Sequence, residues 1–109
     1  MNLLTARFID GDVVIAGQRL KTAMQVAGER EVVAGIRPGA LRIAPDGIKA
    51  RVDLIEDLGD TAVLDLDCAG TPMRVRVDDQ GIPREGATIS ITARPQDIHL
   101  FDPSTRRRL

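Results

Sequence analysis

The chain has 109 residues, of which 43% are hydrophobic and 28% charged, and its formal net charge is −1. This length accommodates one domain with a single core and excludes a multidomain enzyme. The aromatic share is 2%, with no Trp or Tyr. Nucleic-acid binding is therefore not expected, because neither stacking platforms for bases nor a strong positive field is present.

Alternating apolar residues predict strands along almost the whole chain, and no window shows the spacing of an amphipathic helix. In chain order, the predicted strands are Leu3–Ile9, Asp12–Ile15, Glu31–Arg37, Leu41–Ile43, Gly47–Leu58, Leu64–Cys68, Met73–Val77, Thr88–Ala93 and Ile98–Phe101. The alternation changes phase at Leu54-Ile55. A bulge or corner at this point would let one strand serve two parts of a barrel.

The clearest predicted hairpin joins Leu64–Cys68 to Met73–Val77 through the four residues Ala69–Pro72. Pairing Cys68 with Met73 places apolar residues on one face and oppositely charged residues on the other, as a half-buried sheet requires. The predicted pairs are Leu66 with Val75, Leu64 with Val77, Asp67 with Arg74, and Asp65 with Arg76.

An internal repeat is visible in the sequence. Arg37–Ile43 and Arg94–Leu100 share the pattern Arg-Pro-x-x-aliphatic-x-aliphatic, and each copy follows an apolar strand. Two related halves around a common core would close a small barrel and remove exposed sheet edges. The alternative is a coincidence in a chain rich in strands.

The two arginines of this repeat are the candidate site residues. A residue that precedes proline is held in an extended conformation, so Arg37 and Arg94 are expected at equivalent ends of two strands. One interpretation is that they bind carbonyl or carboxylate groups of their own barrel. The other is that they are regulatory or anion contacts, which hold a free anion or an acidic group of a partner.

No group of residues predicts catalysis. Cys68 is the only cysteine and His99 the only histidine, and nothing in the sequence links them as nucleophile and base. A small buried side chain is the favoured interpretation of Cys68, and His99 is expected to point away from the core. One cysteine and one histidine do not provide a zinc site, and phosphate-binding glycine motifs are absent. We therefore expect no catalytic residue, cofactor or metal in this chain.

Two charged segments have simple interpretations. Six acids lie within residues 53–67, but the calcium-loop spacing is absent, and alternating carboxylates on strands normally line a solvated face. Arg106–Arg108 is interpreted as a frayed, solvated tail rather than a nucleic-acid contact. A single cysteine favours a reducing compartment, and no apolar run approaches the roughly 18–20 residues that span a bilayer.

Three segments resemble a known family. Val33–Pro38, Ile55–Gly59 and Pro95–Thr105 are similar to the transport-associated OB (TOBE) domain at the carboxyl end of ATP-binding subunits in ABC sugar importers of the maltose and glycerol-3-phosphate type. The resemblance departs from the family pattern in two places. Gly39 stands where a glutamate often follows the first Arg-Pro, and Arg106 stands where a glycine commonly follows the last threonine.

The resemblance implies an all-β, OB-like small barrel of two related halves over residues 1–109, acting as one regulatory and dimerising domain. It also implies a parent protein with a separate amino-terminal ATPase domain that binds ATP and magnesium, so that this chain is a fragment with no enzymatic activity of its own. The implied partners are a second copy, the integral membrane permease subunits, and a regulatory protein or small effector. The implied location is cytoplasmic, peripheral to the inner membrane.

Two other classes remain open. Related barrels in transport systems bind small oxyanions, so the alternative function is a molybdate-like binding module. An OB-type nucleic-acid binder fits the fold but lacks basic grooves and stacking aromatics.

Overall fold

The computed structural model describes residues 1–78 and 81–109. Nine strands and two single-turn 3₁₀ helices account for most of these residues. The strands are β1 (Asn2–Ile9), β2 (Asp12–Ile15), β3 (Gln18–Lys21), β4 (Glu29–Ile36), β5 (Arg42–Asp57), β6 (Thr61–Cys68), β7 (Thr71–Asp78), β8 (Thr88–Thr92) and β9 (His99–Phe101). The first 3₁₀ turn is Pro38–Ala40 and the second is Pro95–Asp97. No helix in the described chain is long and apolar enough to cross a membrane.

The strands form two antiparallel sheets, which confirms the all-β prediction. One sheet has the order β3-β2-β1-β4-β9 and the other β7-β6-β5-β8. Alternate side chains are buried in strands such as β1 and β6, whereas β4 is buried continuously from residue 32 to residue 36. The buried residues of both sheets form one aliphatic core. Its largest fully buried side chains include Leu4, Ile15, Ile36, Leu41, Ile48, Leu64 and Ile91.

The β5 strand lies between β6 and β8 and pairs with both, and its register is irregular at two points. Its register shifts between Ile43 and Ile48 against β8, and between Val52 and Leu54 against β6. The second shift confirms the bulge predicted from the phase change beside Leu54. The two strands predicted at 41–43 and 47–58 are one continuous strand, because the extended backbone runs through the first bulge.

The predicted register of the β6–β7 hairpin is wrong. Cys68 pairs with Thr71, and the connection is the two-residue turn Ala69-Gly70, in which both residues have positive φ (50° and 90°). Pro72 belongs to the strand rather than to the turn. Its missing N–H is tolerated because β7 is the edge strand of its sheet. Asp65 therefore lies opposite Arg74, not Arg76.

The β3 strand was not predicted from the sequence. It follows another two-residue turn, Ala16-Gly17, again with positive φ at both residues (50° and 78°). Leu20 is its only buried side chain. Four mostly polar residues do not provide enough alternation to indicate a strand.

The two Arg-Pro segments occupy equivalent places in the fold. Each belongs to one half of the molecule, and the two halves exchange strands with each other. In each half, a strand leads into a 3₁₀ turn that crosses to the other sheet: β4 to β5, and β8 to β9. The strand before each turn pairs with the strand after the other turn. The registers correspond as well, since Gly35 pairs with His99 just as its repeat equivalent Thr92 pairs with Arg42. In this arrangement residues of both Arg-Pro turns line the same groove.

Candidate functional site: an arginine groove

The two Arg-Pro turns have the same backbone conformation. Arg37 has φ −68° and ψ 144°, and Arg94 has φ −66° and ψ 145°. The N–H of the third residue after each arginine (Ala40 and Asp97) donates to the arginine carbonyl at 2.9 Å. The proline explains both features, because it excludes the helical region for the preceding arginine and begins a helical turn itself.

Arg37 and Arg94 line the same groove, which has a volume of about 920 Å³. The sequence therefore identified two residues that the fold brings together. Arg42, at the start of β5, and Arg76, near the end of β7, line the groove as well. The remaining residues in its lining are Met1, Pro38, Gly39, Ala40, Leu41 and Asp97.

Sequence reasoning missed Arg42 and Arg76 for different reasons. Arg42 lies inside the repeat pattern, but at one of its variable positions. Arg76 had been assigned to Asp65 in the predicted hairpin. In the observed register Arg74 takes that carboxylate, with its Nε donating to Asp65 Oδ1 at 2.8 Å, and Arg76 lies opposite Val63. The two-residue turn would have freed Arg76 from its predicted pairing with Asp65, but only the tertiary structure places Arg76 in the groove.

The two halves of the groove differ in charge. Arg94 Nε donates to Asp97 Oδ2 at 3.0 Å, an ion pair within one turn. Ala40 occupies the position in the first turn that Asp97 occupies in the second. Among the residues that the structure describes, Arg37, Arg42 and Arg76 form no ion pair. All four arginines are exposed at the surface, so the groove is open to an anion from solution.

Cys68 is fully buried, and this confirms its interpretation as a core side chain. Burial raises the pKa of the thiol, and the nearby negative charge of Asp67 raises it further. Cys68 Sγ lies 3.5 Å from the carbonyl of Lys49, as a weak donor. A neutral, buried thiol is a poor nucleophile.

His99 is half-buried, and its Nδ1 atom is shielded from solvent with no hydrogen-bond partner in the described chain. The alternation in β9 puts His99 on the opposite face from the buried Leu100, which agrees with the expectation that His99 points away from the core. No cluster of three potential metal ligands exists among the described residues.

The acidic segment is a solvated face of ion pairs, as predicted. Arg51 lies between two carboxylates, with Nε 2.9 Å from Asp53 Oδ1 and Nη2 3.2 Å from Asp67 Oδ2. These carboxylates raise the pKa of Arg51. Such exposed pairs contribute little to stability.

The prediction of a frayed carboxyl-terminal tail is wrong. The tail folds back on β9 through a bridge between Phe101 and Arg108, and the N–H of Leu109 donates to the Leu100 carbonyl at 2.9 Å. The Asp102 carboxylate accepts hydrogen bonds from the N–H groups of Thr105 and Ser104 and from Arg30. These donors lower the pKa of Asp102, with the two backbone bonds contributing most. Hydrogen bonds within a short turn produce no periodic pattern in the sequence, so the docked tail could not be predicted from such a pattern.

A solved structure of similar fold is that of the cytoplasmic molybdate-binding protein ModG with molybdate bound. The TM-score is 0.76, and the match covers 94% of this chain and 96% of that one, at 18% identity. A likeness at this level of identity shows a shared fold. It supports the OB-like architecture of two related halves.

Curated relatives are import ATP-binding proteins. The chain is 34% identical to the sn-glycerol-3-phosphate import ATP-binding protein UgpC of Chromobacterium violaceum, over all of this chain and 32% of that protein. It is 30% identical to UgpC 2 of Agrobacterium fabrum, over 89% of this chain and 27% of that protein. It is 29% identical to the diacetylchitobiose uptake system ATP-binding protein MsiK of Streptomyces coelicolor, over all of this chain and 36% of that protein. The chain thus spans about a third of the length of these relatives.

A family model described as the TOBE domain matches residues 34–101. This segment starts within β4, contains both Arg-Pro turns and ends in β9, so it includes most of the strand exchange between the two halves. Together with the similarity to import ATP-binding proteins along 89% or more of this chain, it confirms the family resemblance found in the sequence. The chain belongs to the TOBE domain family.

Proposed function

We propose that this chain is the regulatory and dimerising domain of the ATP-binding subunit of an ABC importer for carbohydrate or glycerol phosphate. The observation that carries the proposal is the TOBE match together with similarity along nearly the whole chain to import ATP-binding proteins. In this proposal residues 1–109 are one regulatory domain at the carboxyl end of a longer polypeptide. ATP and magnesium bind in its separate ATPase domain.

The chemistry of the chain supports a role without catalysis. Its one thiol is buried and the pKa of that thiol is raised, while ion pairs such as Arg51 with Asp53 lie at the surface. In the parent complex the partners are integral membrane permease subunits and a regulatory protein or small effector. The complex is located on the cytoplasmic side, peripheral to the inner membrane.

The complete polypeptide tests this assignment. We expect it to contain a nucleotide-binding domain, to hydrolyse ATP and to copurify with its permease subunits. A gene that encodes no nucleotide-binding domain next to this one, or a full-length protein that neither hydrolyses ATP nor binds a permease, would contradict the proposal.

A homodimer is part of the proposal, and an exposed apolar surface supports it. Met1 and Leu3 are 58% and 56% exposed, and they line a cleft of about 480 Å³ with Phe101 and Arg106. We expect Leu3→Asp to convert a dimer to a monomer in sedimentation experiments, since a charge would be buried without a partner. Thr5→Asp is the matched control, because Thr5 is exposed two residues further along β1 and does not line the cleft. A wild-type monomer, or equal effects of both substitutions, would remove the dimer from the proposal.

A second candidate function is a small oxyanion-binding module, and the arginine groove favours it. In this alternative Arg37 and Arg94 bind the anion directly through charge-assisted hydrogen bonds. Titration of the chain with molybdate, tungstate and sulfate separates the two functions. Micromolar binding of molybdate, lost in Arg37→Gln and Arg94→Gln, would favour the oxyanion module over the importer subunit.

A further inference from the structure

The two Arg-Pro turns differ in one position that matters for binding. In the second turn, Asp97 supplies a carboxylate that pairs with Arg94. In the first turn, the same position is Ala40, and Arg37 forms no ion pair with the described residues. The backbone of the two turns is the same within a few degrees at the arginine. The first half of the groove therefore has the geometry for an acidic group beside Arg37 but lacks that group.

The positive charge of the groove exceeds what one additional carboxylate would neutralise. Four arginines and one aspartate line the described groove, which is an excess of three positive charges. A phosphate monoester carries roughly −1.5 to −2 charges near neutral pH and has three strong acceptor oxygens. Arginine side chains bind such oxygens with two parallel hydrogen bonds. A dianionic phosphate thus compensates the excess better than a single carboxylate does.

The size and lining of the groove indicate that more than an inorganic ion fits. Its volume of about 920 Å³ lies in the range of small-molecule sites, ~300–1,000 Å³, and far exceeds one phosphate group. Met1 and Pro38 provide accessible apolar surface next to the arginines. An organic group attached to the phosphate would contact these side chains.

We infer that the groove binds the phosphate monoester of a small organic molecule. The phosphate lies beside Arg37, in the place that the Asp97 carboxylate occupies beside Arg94, and within the arginine set completed by Arg42 and Arg76. This inference rests on the proposed anion-contacting role of Arg37 and Arg94. It does not depend on the importer assignment.

Calorimetric titration of the 109-residue chain with four probes tests the ligand class. We expect phenyl phosphate to bind at least about tenfold more tightly than inorganic phosphate, because its ring adds apolar contact. We expect benzoate, with one charge, to bind more weakly than phenyl phosphate, and phenol not to bind. Equal or tighter binding of inorganic phosphate would show that only the ion is recognised. Equal or tighter binding of benzoate would indicate a carboxylate site, and either result overturns the inference.

Two substitutions locate the phosphate in the groove. Arg37→Gln removes a guanidinium that forms no ion pair with the described residues, and it is expected to weaken phenyl phosphate binding at least about tenfold. Ala40→Asp supplies the missing carboxylate with all four arginines intact, and it is expected to weaken binding by a similar factor. The matched control is Gln96→Glu, which adds the same charge to the exposed surface of the second turn but outside the groove lining.

Asp97→Asn provides a test in the opposite direction. It leaves Arg94 without its carboxylate, so phenyl phosphate should bind more tightly than to the wild type. The inference is overturned if Ala40→Asp and Gln96→Glu have equal effects, since binding would then follow net charge alone. If Ala40→Asp does not fold, Arg37→Gln and Asp97→Asn decide the question. These titrations involve no nucleotide or permease, so their failure would leave the importer assignment to its own test.

Discussion

At the scale of single residues, position 47 requires glycine because two strands approach each other closely there. It lies in the first bulge of β5 with φ at 154°, and a Cβ atom added there would meet the carbonyl oxygen of Ile91 at 2.1 Å. No real side chain fits at that distance. The bulge therefore depends on glycine. It also fixes how the first residues of β5, which begin at the groove, join the rest of the strand.

Gly47→Ala should destabilise the protein by about 3 kcal/mol or more, because backbone must move to admit the methyl group. Urea unfolding followed by circular dichroism measures this change. Gly39→Ala is the matched control. It has no heavy atom within 4 Å of an added Cβ and no positive φ, so we expect a change below about 1 kcal/mol. Similar losses in both variants would contradict the steric explanation.

Cys68 gives a prediction about pH. Its folded-state pKa is raised above the ordinary value of 9.0, first by burial and then by Asp67. Below pH 9 the thiol is neutral in both the folded and the unfolded protein, so it does not change the free energy of unfolding there. As pH rises above 9 the unfolded thiol ionises first, and stability is lost until pH passes the folded-state pKa. The native thiol should also react with iodoacetamide roughly a hundredfold more slowly than the denatured one.

Cys68→Ala is the control for this pH dependence. The extra loss of stability above pH 9 should be absent in the variant, although the variant is less stable at every pH because of the cavity. Rapid labelling of the folded wild type at pH 8, or the same pH profile in both proteins, would contradict the interpretation.

At the scale of elements, the carboxyl-terminal tail depends on one carboxylate. Asp102 accepts hydrogen bonds from two backbone N–H groups and from Arg30 at 2.7 Å, and these hold its pKa below the ordinary value of 3.8. The pairing of Leu109 with Leu100 extends from this turn.

Asp102→Asn should release the tail, because the amide is a weaker acceptor for these three donors. Hydrogen exchange at the Leu109 amide should rise several-fold in the variant. In the wild type, the contribution of Asp102 is present above pH 3.8 and is lost as pH falls through its lowered pKa. Asp46→Asn is a control at an exposed site. Unchanged protection of Leu109 in Asp102→Asn would show that the strand bridge holds the tail by itself.

The hairpin of β6 and β7 shows which part of an element can be predicted. The faces of both strands followed from alternation, and all buried positions in β6 are apolar, as expected. The register did not follow, since a shift by two residues keeps every side chain on its face. The decisive feature is positive φ at Ala69, and alanine gives no signal for that conformation. This is also why Arg76 was not recognised as a groove residue.

At the scale of the whole molecule, the two halves cannot be separated. β8 pairs with β5 and β9 with β4, so each half completes the sheet of the other. The core residues of both sheets form a single cluster. One cooperative unit is the expected consequence.

A chain ending at Asp78 should show no cooperative unfolding transition, because β4 loses its pairing with β9 and β5 loses its pairing with β8. An equimolar mixture with a peptide of residues 81–109 should restore the β-sheet circular dichroism spectrum and a transition. A chain ending at Phe101, which lacks only the tail, is the control and should unfold cooperatively at lower urea concentration. Independent cooperative folding of residues 1–78 would contradict the strand exchange.

The sequence by itself determined the strand-rich class, the inward faces, the repeat and the equivalence of Arg37 and Arg94. These properties are local, because alternation and the restriction before proline act over a few residues. The tertiary structure alone decided the hairpin register, the docked tail and the arrival of Arg42 and Arg76 in one groove with the repeat arginines. Those properties depend on contacts between residues far apart in the chain. Their free energy is set by packing and pairing that no short sequence pattern contains.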